Sequence, residues 1–179
     1  MKLTELNLAG CYQIKMASSH DDRGSFYKYF MESAFKKIAP DFSIKEMYFS
    51  ISKKNVIRGM HFQKKPHEHA KIVYCSLGEI DDVILDLRSR SVTYGMYQKI
   101  RLRAESETAI YMPPGIAHGF CSLAELNMVH YGVTSEYESK SDVGIRWDSF
   151  GCEWGVVNPI ISNRDSKLPS FLNIQERYF

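Results

Sequence analysis

The sequence lacks the features that distinguish nucleic-acid-binding, membrane and secreted proteins from ordinary globular proteins. Its 179 residues carry a formal net charge of only +2, so there is no excess of positive charge to hold a nucleic-acid backbone. No apolar run is long enough to cross a membrane, and no secretory signal peptide is evident. We therefore expect a cytoplasmic protein with no nucleic-acid partner and no membrane partner.

Cysteine is scarce as well. The four cysteines are scattered, and none of them forms the Cys-x-x-Cys spacing of a zinc site. Cys75 and Cys121 lie within apolar, strand-like runs, where a reduced and buried thiol is the simpler interpretation. This pattern agrees with a reducing compartment.

Long stretches with the apolar repeat of an amphipathic helix are also missing. Short strand-like runs are separated by Gly, Pro, Asn, Asp or Ser clusters at a spacing of about ten residues, which is typical of all-β sandwiches and small barrels. The length suits one domain, 1–179, rather than two. We expect an edge strand within 1–19, a short helix over 31–38, and a tail of turns and one or two short helices from Ser139 onward, held by Trp147 and Trp154. The further strand candidates are 25–30, 44–52, 56–62, 70–77, 80–87, 97–102, 108–112, 119–122 and 127–133.

Two segments, 58–71 and 111–120, set polar side chains among apolar neighbours. Polar groups in such surroundings must be paired or used in function. Alternation along the first segment places His61 on the strand face opposite its two apolar neighbours. A lone histidine in a strand is usually a hydrogen-bonded core residue, but the company of Arg58, Gln63, Lys71 and His118 favours a site. We expect the two segments to line opposite walls of one pocket.

A metal site is the first alternative to test. His67 and His69 have the spacing of a metal-binding pair, but Pro66 and Glu68 put them in a turn that we expect to face solvent. A metal-binding barrel needs a glutamate ligand where this sequence has Lys71, and an ammonium group would repel a divalent cation. The sequence therefore predicts no metal and no cofactor, and it disfavours a metal-dependent oxygenase.

The same groups suit acid–base chemistry without a metal. Imidazole titrates near neutrality and can remove a proton, so His61 is a candidate base. Lys71 can stabilise the oxyanion that forms when a proton leaves a carbon next to a carbonyl. Tyr131 can return a proton from the opposite side, but its spacing fits a barrel-wall tyrosine equally well, so both interpretations stay open.

Most of the chain, from about residue 22 to 168, carries motifs in an order that resembles a known family. These motifs are Arg23-Gly24-Ser25-Phe26, Arg58-Gly59-Met60-His61-Phe62-Gln63, Lys71-Ile72-Val73, Asp82-Val83-Ile84-Leu85-Asp86-Leu87-Arg88, Pro113-Pro114-Gly115-Ile116-Ala117-His118-Gly119-Phe120, Gly144-Ile145-Arg146-Trp147-Asp148 and Pro159-Ile160-Ile161-Ser162-Asn163-Arg164-Asp165. Together they resemble the dTDP-4-dehydrorhamnose 3,5-epimerases. The resemblance implies an all-β, cupin-type double-stranded β-helix (a jelly-roll barrel), with short helices in the C-terminal tail. It also implies a homodimer whose N-terminal strands cross into the partner.

The chemistry implied by the resemblance is cofactor-free epimerisation, at C3 and/or C5, of a nucleoside-diphosphate 4-keto-6-deoxy sugar for surface polysaccharide. His61 matches the base, oriented by Asp165, and Tyr131 matches the acid that acts through an enolate on the other face. Lys71 matches the cation beside the C4 oxygen. The substrate-binding residues that the resemblance implies are Arg23, Arg58 and Arg164 near the diphosphate, Tyr137 stacking near the base or sugar, Asp142 at the ligand edge, Phe26, and His118 paired with Asp82.

Departures from the family pattern cluster at the end of the site that would hold the nucleotide base. Lys28 stands where the family has a glutamate that meets thymine, and Glu46 and Tyr48 replace a glutamine and an asparagine. A carboxylate such as Glu46 accepts from the N–H groups of guanine, and Lys28 can donate to its O6. From these substitutions we expect GDP to bind more tightly than dTDP, with CDP second.

Three alternatives to a dTDP-sugar 3,5-epimerase therefore stay open. The enzyme can invert a single centre, or act on a GDP- or CDP-linked sugar. From a different class, it can be a non-catalytic sugar-binding cupin, although simple binding needs no base opposite an acid.

Overall fold

The computed structural model describes residues 1–174 and consists mostly of β-strands. Within these residues there are thirteen strands, one short α-helix and three 3₁₀ turns. The strands are β1 Lys2–Glu5, β2 Tyr12–Lys15, β3 Ala17–Asp21, β4 Gly24–Lys28, β5 Glu46–Lys53, β6 Ile57–Gln63, β7 Lys71–Leu77, β8 Glu79–Asp86, β9 Tyr97–Arg103, β10 Thr108–Met112, β11 Ile116–Ser122, β12 Leu126–Val133 and β13 Asp142–Gly144. Helix α1 is Glu32–Phe35, and the 3₁₀ turns are Ala104–Ser106, Asp165–Lys167 and Phe171–Asn173.

The strands form two large antiparallel sheets and one hairpin. The six-stranded sheet has the order β1-β2-β10-β7-β12-β5, and the five-stranded sheet has the order β13-β6-β11-β8-β9. Strands β3 and β4 pair with each other as a separate hairpin. Because β6, β7 and β8 alternate between the two large sheets, as do β10, β11 and β12, the chain winds as the predicted cupin-type jelly roll.

The central core lies between the two large sheets. Val73, Ile110 and Val129 come from the six-stranded sheet and pack with Ile84 and Phe120 of the five-stranded sheet. Each of these side chains is buried, and burial of a large aliphatic or aromatic side chain contributes roughly 1.5–3 kcal/mol. The period-two alternation of the sequence thus turns one face of each sheet inward.

The C-terminal tail covers the outer face of the five-stranded sheet. Trp147 and Trp154 pack in the same apolar cluster as Met60 and Phe62 of β6. The Nε1–H of Trp154 donates to the carbonyl of Trp147 over 2.9 Å, so the two tryptophans hold the tail as predicted. The last part of the predicted tail and domain, 175–179, lies outside the described residues.

The N-terminal region differs from the prediction of one edge strand. It contains three strands, and β2 lies inside the six-stranded sheet between β1 and β10. Ile14 explains this position because its side chain is fully buried in the apolar cluster beside that sheet. The predicted helix over 31–38 is confirmed only as the single turn of α1. Among the described residues, no helix has the length and apolar character needed to span a membrane.

A close backbone approach brings β6 and β11 together at the site. Gly59 has φ of +130°, and a Cβ there would stand 2.5 Å from the Cα of Gly119. The register of these strands shifts between His118 and Phe120, and it places His118 directly opposite His61. Glycine at position 59 therefore lets two histidines project side by side from one sheet.

Candidate active site

A histidine–aspartate pair forms the first wall of the candidate site. His61 Nε2 lies 2.7 Å from Oδ1 of Asp165, which the 3₁₀ turn Asp165–Lys167 places beneath β6. The second oxygen of Asp165 accepts from the backbone N–H of Gly59 over 3.2 Å. Because the carboxylate can only accept, the Nε2 of neutral His61 carries the proton, and Nδ1 keeps the lone pair that a base needs.

The environment of Asp165 keeps it charged. Burial works to raise its pKa, but the hydrogen bond and charge of His61, the N–H of Gly59 and the guanidinium of Arg164 outweigh this and hold the pKa below its ordinary value. A charged Asp165 stabilises the imidazolium that forms when His61 takes up a proton.

His118 forms a second such pair next to His61. Its Nε2 lies 2.6 Å from Oδ1 of Asp82, and both side chains are buried. His61 and His118 therefore share one wall, contrary to the prediction that their two segments line opposite walls. The physical reason is that β6 and β11 are hydrogen-bonded neighbours in the five-stranded sheet.

Lys71 and Tyr131 project from the opposite, six-stranded sheet. Lys71 begins β7, is 5% exposed and donates from Nζ to the carbonyl of His61 over 3.2 Å. Burial lowers the pKa of Lys71 to about 8, against the opposing effect of Asp142 and Asp82. Lys71 is thus mostly an ammonium group at neutral pH, but it loses its proton at a lower pH than an ordinary lysine does.

Tyr131 lies on β12 with its ring edge-on to His118, at a centroid distance of 5.9 Å. Its hydroxyl is 3.5 Å from Oγ of Ser50. Burial is the main cause that raises the pKa of Tyr131 above its ordinary value, so the phenol keeps its proton at neutral pH. Tyr131 therefore has a protonated hydroxyl at the inner cavity, across the barrel from His61.

These groups line two adjoining cavities. The inner cavity is about 200 Å³, and the outer cavity is about 320 Å³. His61, Lys71 and Tyr48 line both. The inner cavity is also lined by Ser50, Arg58, His118, Phe120 and Tyr131, and the outer one by Glu46, Phe62, Gln63, His69, Val133, Ser135, Tyr137, Asp142 and Arg164.

Charged side chains at the outer cavity are held in fixed positions. Arg164 pairs with Asp142 over 2.8 Å. Glu46 accepts from the backbone N–H of Tyr137 over 2.7 Å, and so it holds the segment that carries this exposed tyrosine. At the inner cavity, Arg58 donates to Oγ of Ser52 over 3.0 Å.

Three predicted binding residues lie apart from both cavities. Arg23, Phe26 and Lys28 are exposed on the β3–β4 hairpin, and Arg23 pairs with Asp21. None of the three is among the residues that line the two cavities described above. The other eleven predicted site residues are brought together, since ten line a cavity and Asp165 holds His61.

The prediction of one base pocket formed by Lys28, Glu46 and Tyr48 is therefore not supported within a single chain. Lys28 is on the hairpin, Glu46 is engaged with Tyr137, and Tyr48 stacks on Tyr131 with centroids 4.7 Å apart. The expectation of tighter GDP binding needs these side chains around one base, and a single chain does not bring them together.

His69 is a site residue that the sequence analysis missed. The prediction that His67 and His69 face solvent is wrong, because both are half-buried and His69 lines the outer cavity. The Nδ1 of His69 contacts the Gln63 amide and the Ser135 hydroxyl, each over 3.2 Å. Burial and then the charge of Lys71 lower the pKa of His69 to about 3. The missed signal is alternation, since His69 stands two residues before Lys71.

In residues 1–174, no group of three or more His, Cys, Asp or Glu side chains is placed to hold a metal ion. The independence from metal and cofactor stays a prediction. The chemistry that this arrangement supports directly is proton transfer, because a base candidate on one sheet faces an acid candidate and an ammonium group on the other.

A jelly-roll barrel whose cavity holds a base opposite an acid, with an ammonium group beside them, fits a cupin-type isomerase. Residues 5–173 match the model of the family described as dTDP-4-dehydrorhamnose 3,5-epimerase. The chain belongs to this family of sugar epimerases.

Relatives and solved structures agree with this assignment over nearly the whole chain. A dTDP-4-dehydrorhamnose 3,5-epimerase of Mycolicibacterium smegmatis is 32% identical over 177 residues, covering 98% of this chain and 88% of the relative. The crystal structure of the Elizabethkingia anophelis enzyme of that name has a TM-score of 0.92 and 31% identity, covering 98% of this chain and 99% of the other. A 3′-monoepimerase from Streptomyces bikiniensis in complex with dTDP-quinovose has a TM-score of 0.87 and 26% identity, covering 92% and 85% of the two chains.

Proposed function

We propose that this epimerase inverts C3 and C5 of a dTDP-linked 4-keto-6-deoxy sugar, without a cofactor, in deoxy-sugar biosynthesis for surface polysaccharide. The observation that carries the proposal is the placement of His61 on one sheet, held there by Asp165, so that it faces Tyr131 and Lys71 of the other sheet across one cavity. The names of the relatives support the thymidine nucleotide and the keto sugar.

The proposed reaction is a pair of proton transfers at carbon. His61 Nδ1 takes the proton from a carbon next to the C4 ketone, and the C–H electron pair moves into an enolate. Lys71 stabilises the negative charge on the C4 oxygen. The phenol of Tyr131 then protonates the same carbon on its opposite face. Solvent removes the proton from the imidazolium and returns one to the phenolate, so the enzyme ends each cycle unchanged.

The outer cavity suits the nucleotide part of the substrate. Arg164 offers a fork of N–H donors at its rim, which matches the geometry of a phosphate group, and Asp142 holds this guanidinium in place. The exposed ring of Tyr137 is available to stack on the sugar or base. In this arrangement the keto sugar reaches the inner cavity, where Arg58 and His118 complete the wall.

A homodimer completes this site in our proposal. Met47, Phe49 and Ile51 alternate along β5 at the edge of the six-stranded sheet and are each about half exposed. We define these three side chains as the β5 face, and we assign it to contact with a second copy of the chain. The β3–β4 hairpin would then carry Arg23, Phe26 and Lys28 to the partner's cavity. This placement explains why the three residues lie apart from the cavities of their own chain.

The cytoplasm is the proposed compartment, supported by four cysteines that are all unpaired and buried. The comparisons do not favour a GDP- or CDP-linked substrate, because the relatives reported above are named for, or bind, dTDP sugars. They do not favour a non-catalytic sugar-binding cupin either. Inversion of a single centre has one specific observation on its side, the shared fold of the 3′-monoepimerase.

The test uses dTDP-4-keto-6-deoxyglucose in D₂O, followed by proton NMR. We expect deuterium to enter at C3 and at C5, with formation of the doubly inverted product. His61→Asn is the matched control, and it should lose both processes by about 10²-fold or more while the fold is kept. Deuterium at one position only would make the enzyme a single-centre epimerase. No exchange at either position would refute the proposed function.

A further inference from the structure

Tyr48 is stacked directly on the proposed acid. The register of β5 and β12 pairs Tyr48 with Tyr131 across the strands, so both side chains project from the same face of the six-stranded sheet. Their ring centroids are 4.7 Å apart and the ring planes differ by 17°. Tyr131 is 8% exposed whereas Tyr48 is 41% exposed, so Tyr48 forms the solvent side of the pair.

The ring of Tyr131 thus has defined neighbours on two sides. Tyr48 covers one face, and His118 approaches edge-on at 71°. The hydroxyl end has a looser contact, 3.5 Å to Ser50, which is at the limit of a hydrogen bond. The direction in which Tyr131 presents its proton is therefore set more by ring packing than by hydrogen bonding.

We propose that Tyr48 is a positioning residue for epimerisation, whose ring holds the Tyr131 phenol in line with the carbon that it protonates. This inference rests on the proposed function. Tyr48 also lines both cavities, so it stands where the substrate passes from the outer to the inner one. An asparagine, which the resemblance places at this position, has no ring to stack, so this support belongs to the present chain.

The ring of Tyr48, rather than its hydroxyl, provides the support in this proposal. Burial, followed by the charges of Glu46 and Asp142, raises the pKa of Tyr48 to about 12, and so it stays an uncharged aromatic surface across the working range. Tyr48→Phe keeps that surface and removes only the hydroxyl. Tyr48→Leu keeps an apolar side chain and removes the ring.

The measurement is the ratio of inversion to solvent exchange for dTDP-4-keto-6-deoxyglucose in D₂O. In Tyr48→Leu this ratio should fall by roughly tenfold or more, because a misaligned acid slows inversion more than it slows the exchange started by His61. Tyr48→Phe should keep the wild-type ratio. Tyr94→Leu removes a half-exposed tyrosine ring that packs near Phe171, and it serves as the matched control with an unchanged ratio.

A double substitution shows whether Tyr48 acts through Tyr131. In a Tyr131→Phe background, Tyr48→Leu should not change the ratio further, because residue 131 then has no hydroxyl group for Tyr48 to position. Tyr48→Asn provides a second ring-free variant if Tyr48→Leu does not fold, as judged by thermal unfolding.

Three results would overturn the inference. The first is a wild-type ratio of inversion to exchange in Tyr48→Leu. If only KM rises in that variant, Tyr48 contributes to substrate binding and does not position Tyr131. The second is a loss in Tyr48→Phe equal to that in Tyr48→Leu, and the third is an additional loss in the Tyr131→Phe background. Each is distinct from failure of the proposed function, in which the wild type itself neither exchanges nor inverts.

Discussion

At the scale of single residues, Lys71 connects the two walls of the site. Its Nζ donates to the backbone of His61 while its side chain is buried among groups of both sheets. A buried ammonium group interacts more strongly with a developing oxyanion than an exposed one, because water does not screen it. The same burial makes its charge sensitive to pH.

We predict that kcat/KM falls as pH rises through about 8, the pKa to which burial lowers Lys71. The ammonium form of Lys71 exists below this pKa, so the loss of activity that Lys71 causes lies on the alkaline side. The pH–rate profile of the wild type should show this limb.

Lys71→Arg is the control for this assignment. Its guanidinium stays protonated throughout the range, so the variant should lack the alkaline limb even if its activity is lower. A flat wild-type profile up to about pH 10, near the ordinary pKa of lysine, would contradict the role of Lys71. An unchanged limb in Lys71→Arg would assign it to another group.

At the scale of elements, the approach of β6 and β11 sets the geometry of both histidines. A methyl group on Gly59 would meet the Cα of Gly119 at 2.5 Å and the carbonyl of His118 at 2.9 Å, and both are backbone atoms. Neither can move without disturbing the ladder that holds His61 opposite His118.

We therefore predict that Gly59→Ala lowers the free energy of unfolding by about 3 kcal/mol or more. Gly151→Ala is the matched control, because Gly151 also has positive φ, +82°, but no atom lies within 4 Å of its would-be Cβ. It should cost only about 1–2 kcal/mol for the strained backbone. Urea unfolding of both variants decides the point, and equal losses would show that the strand approach is more tolerant than its geometry indicates.

Element prediction from the sequence succeeded where clusters of turn residues separate the strands. The strand candidates 56–62 and 127–133 correspond to β6 and β12, and the spacing of turns predicted the all-β class. It failed at β2, which lies inside the six-stranded sheet, because a four-residue strand gives too short a pattern to show its neighbours. The side-by-side placement of His61 and His118 also depends on strand pairing, which local alternation does not reveal.

At the scale of the whole molecule, the β5 face is central to the proposed dimer. We predict that Phe49→Glu converts the dimer to a monomer, because a charge would be buried at an apolar contact, with a loss in self-affinity of about 10²-fold or more. Sedimentation velocity at micromolar concentration measures this directly. Activity should fall with the dimer, since the β3–β4 hairpin no longer reaches a partner.

Val92→Glu is the control for the charge itself, because Val92 is 93% exposed and lies outside the β5 face. It should leave the dimer intact. A wild type that sediments as a monomer, or a dimeric Phe49→Glu variant, would contradict this arrangement and leave Arg23, Phe26 and Lys28 without a role at the site.

The candidate site could be predicted from the sequence in its residue types but not in its arrangement. His61, Lys71 and His118 stand out as polar groups in apolar strands. The stack of Tyr48 on Tyr131 depends on the register of β5 with β12, which no local pattern specifies. The single domain over 1–179 and the roles of individual side chains stay predictions.

The central claim is that protons leave and return on opposite faces of the sugar, and Tyr131→Phe tests it most directly. Proton NMR in D₂O should show that this variant still exchanges the hydrogens next to the ketone, because His61 and Lys71 remain, but inverts configuration at least about 10²-fold more slowly than the wild type. Inversion at the wild-type rate would contradict the account, and loss of exchange and inversion in equal measure would make Tyr131 a positioning group rather than the acid.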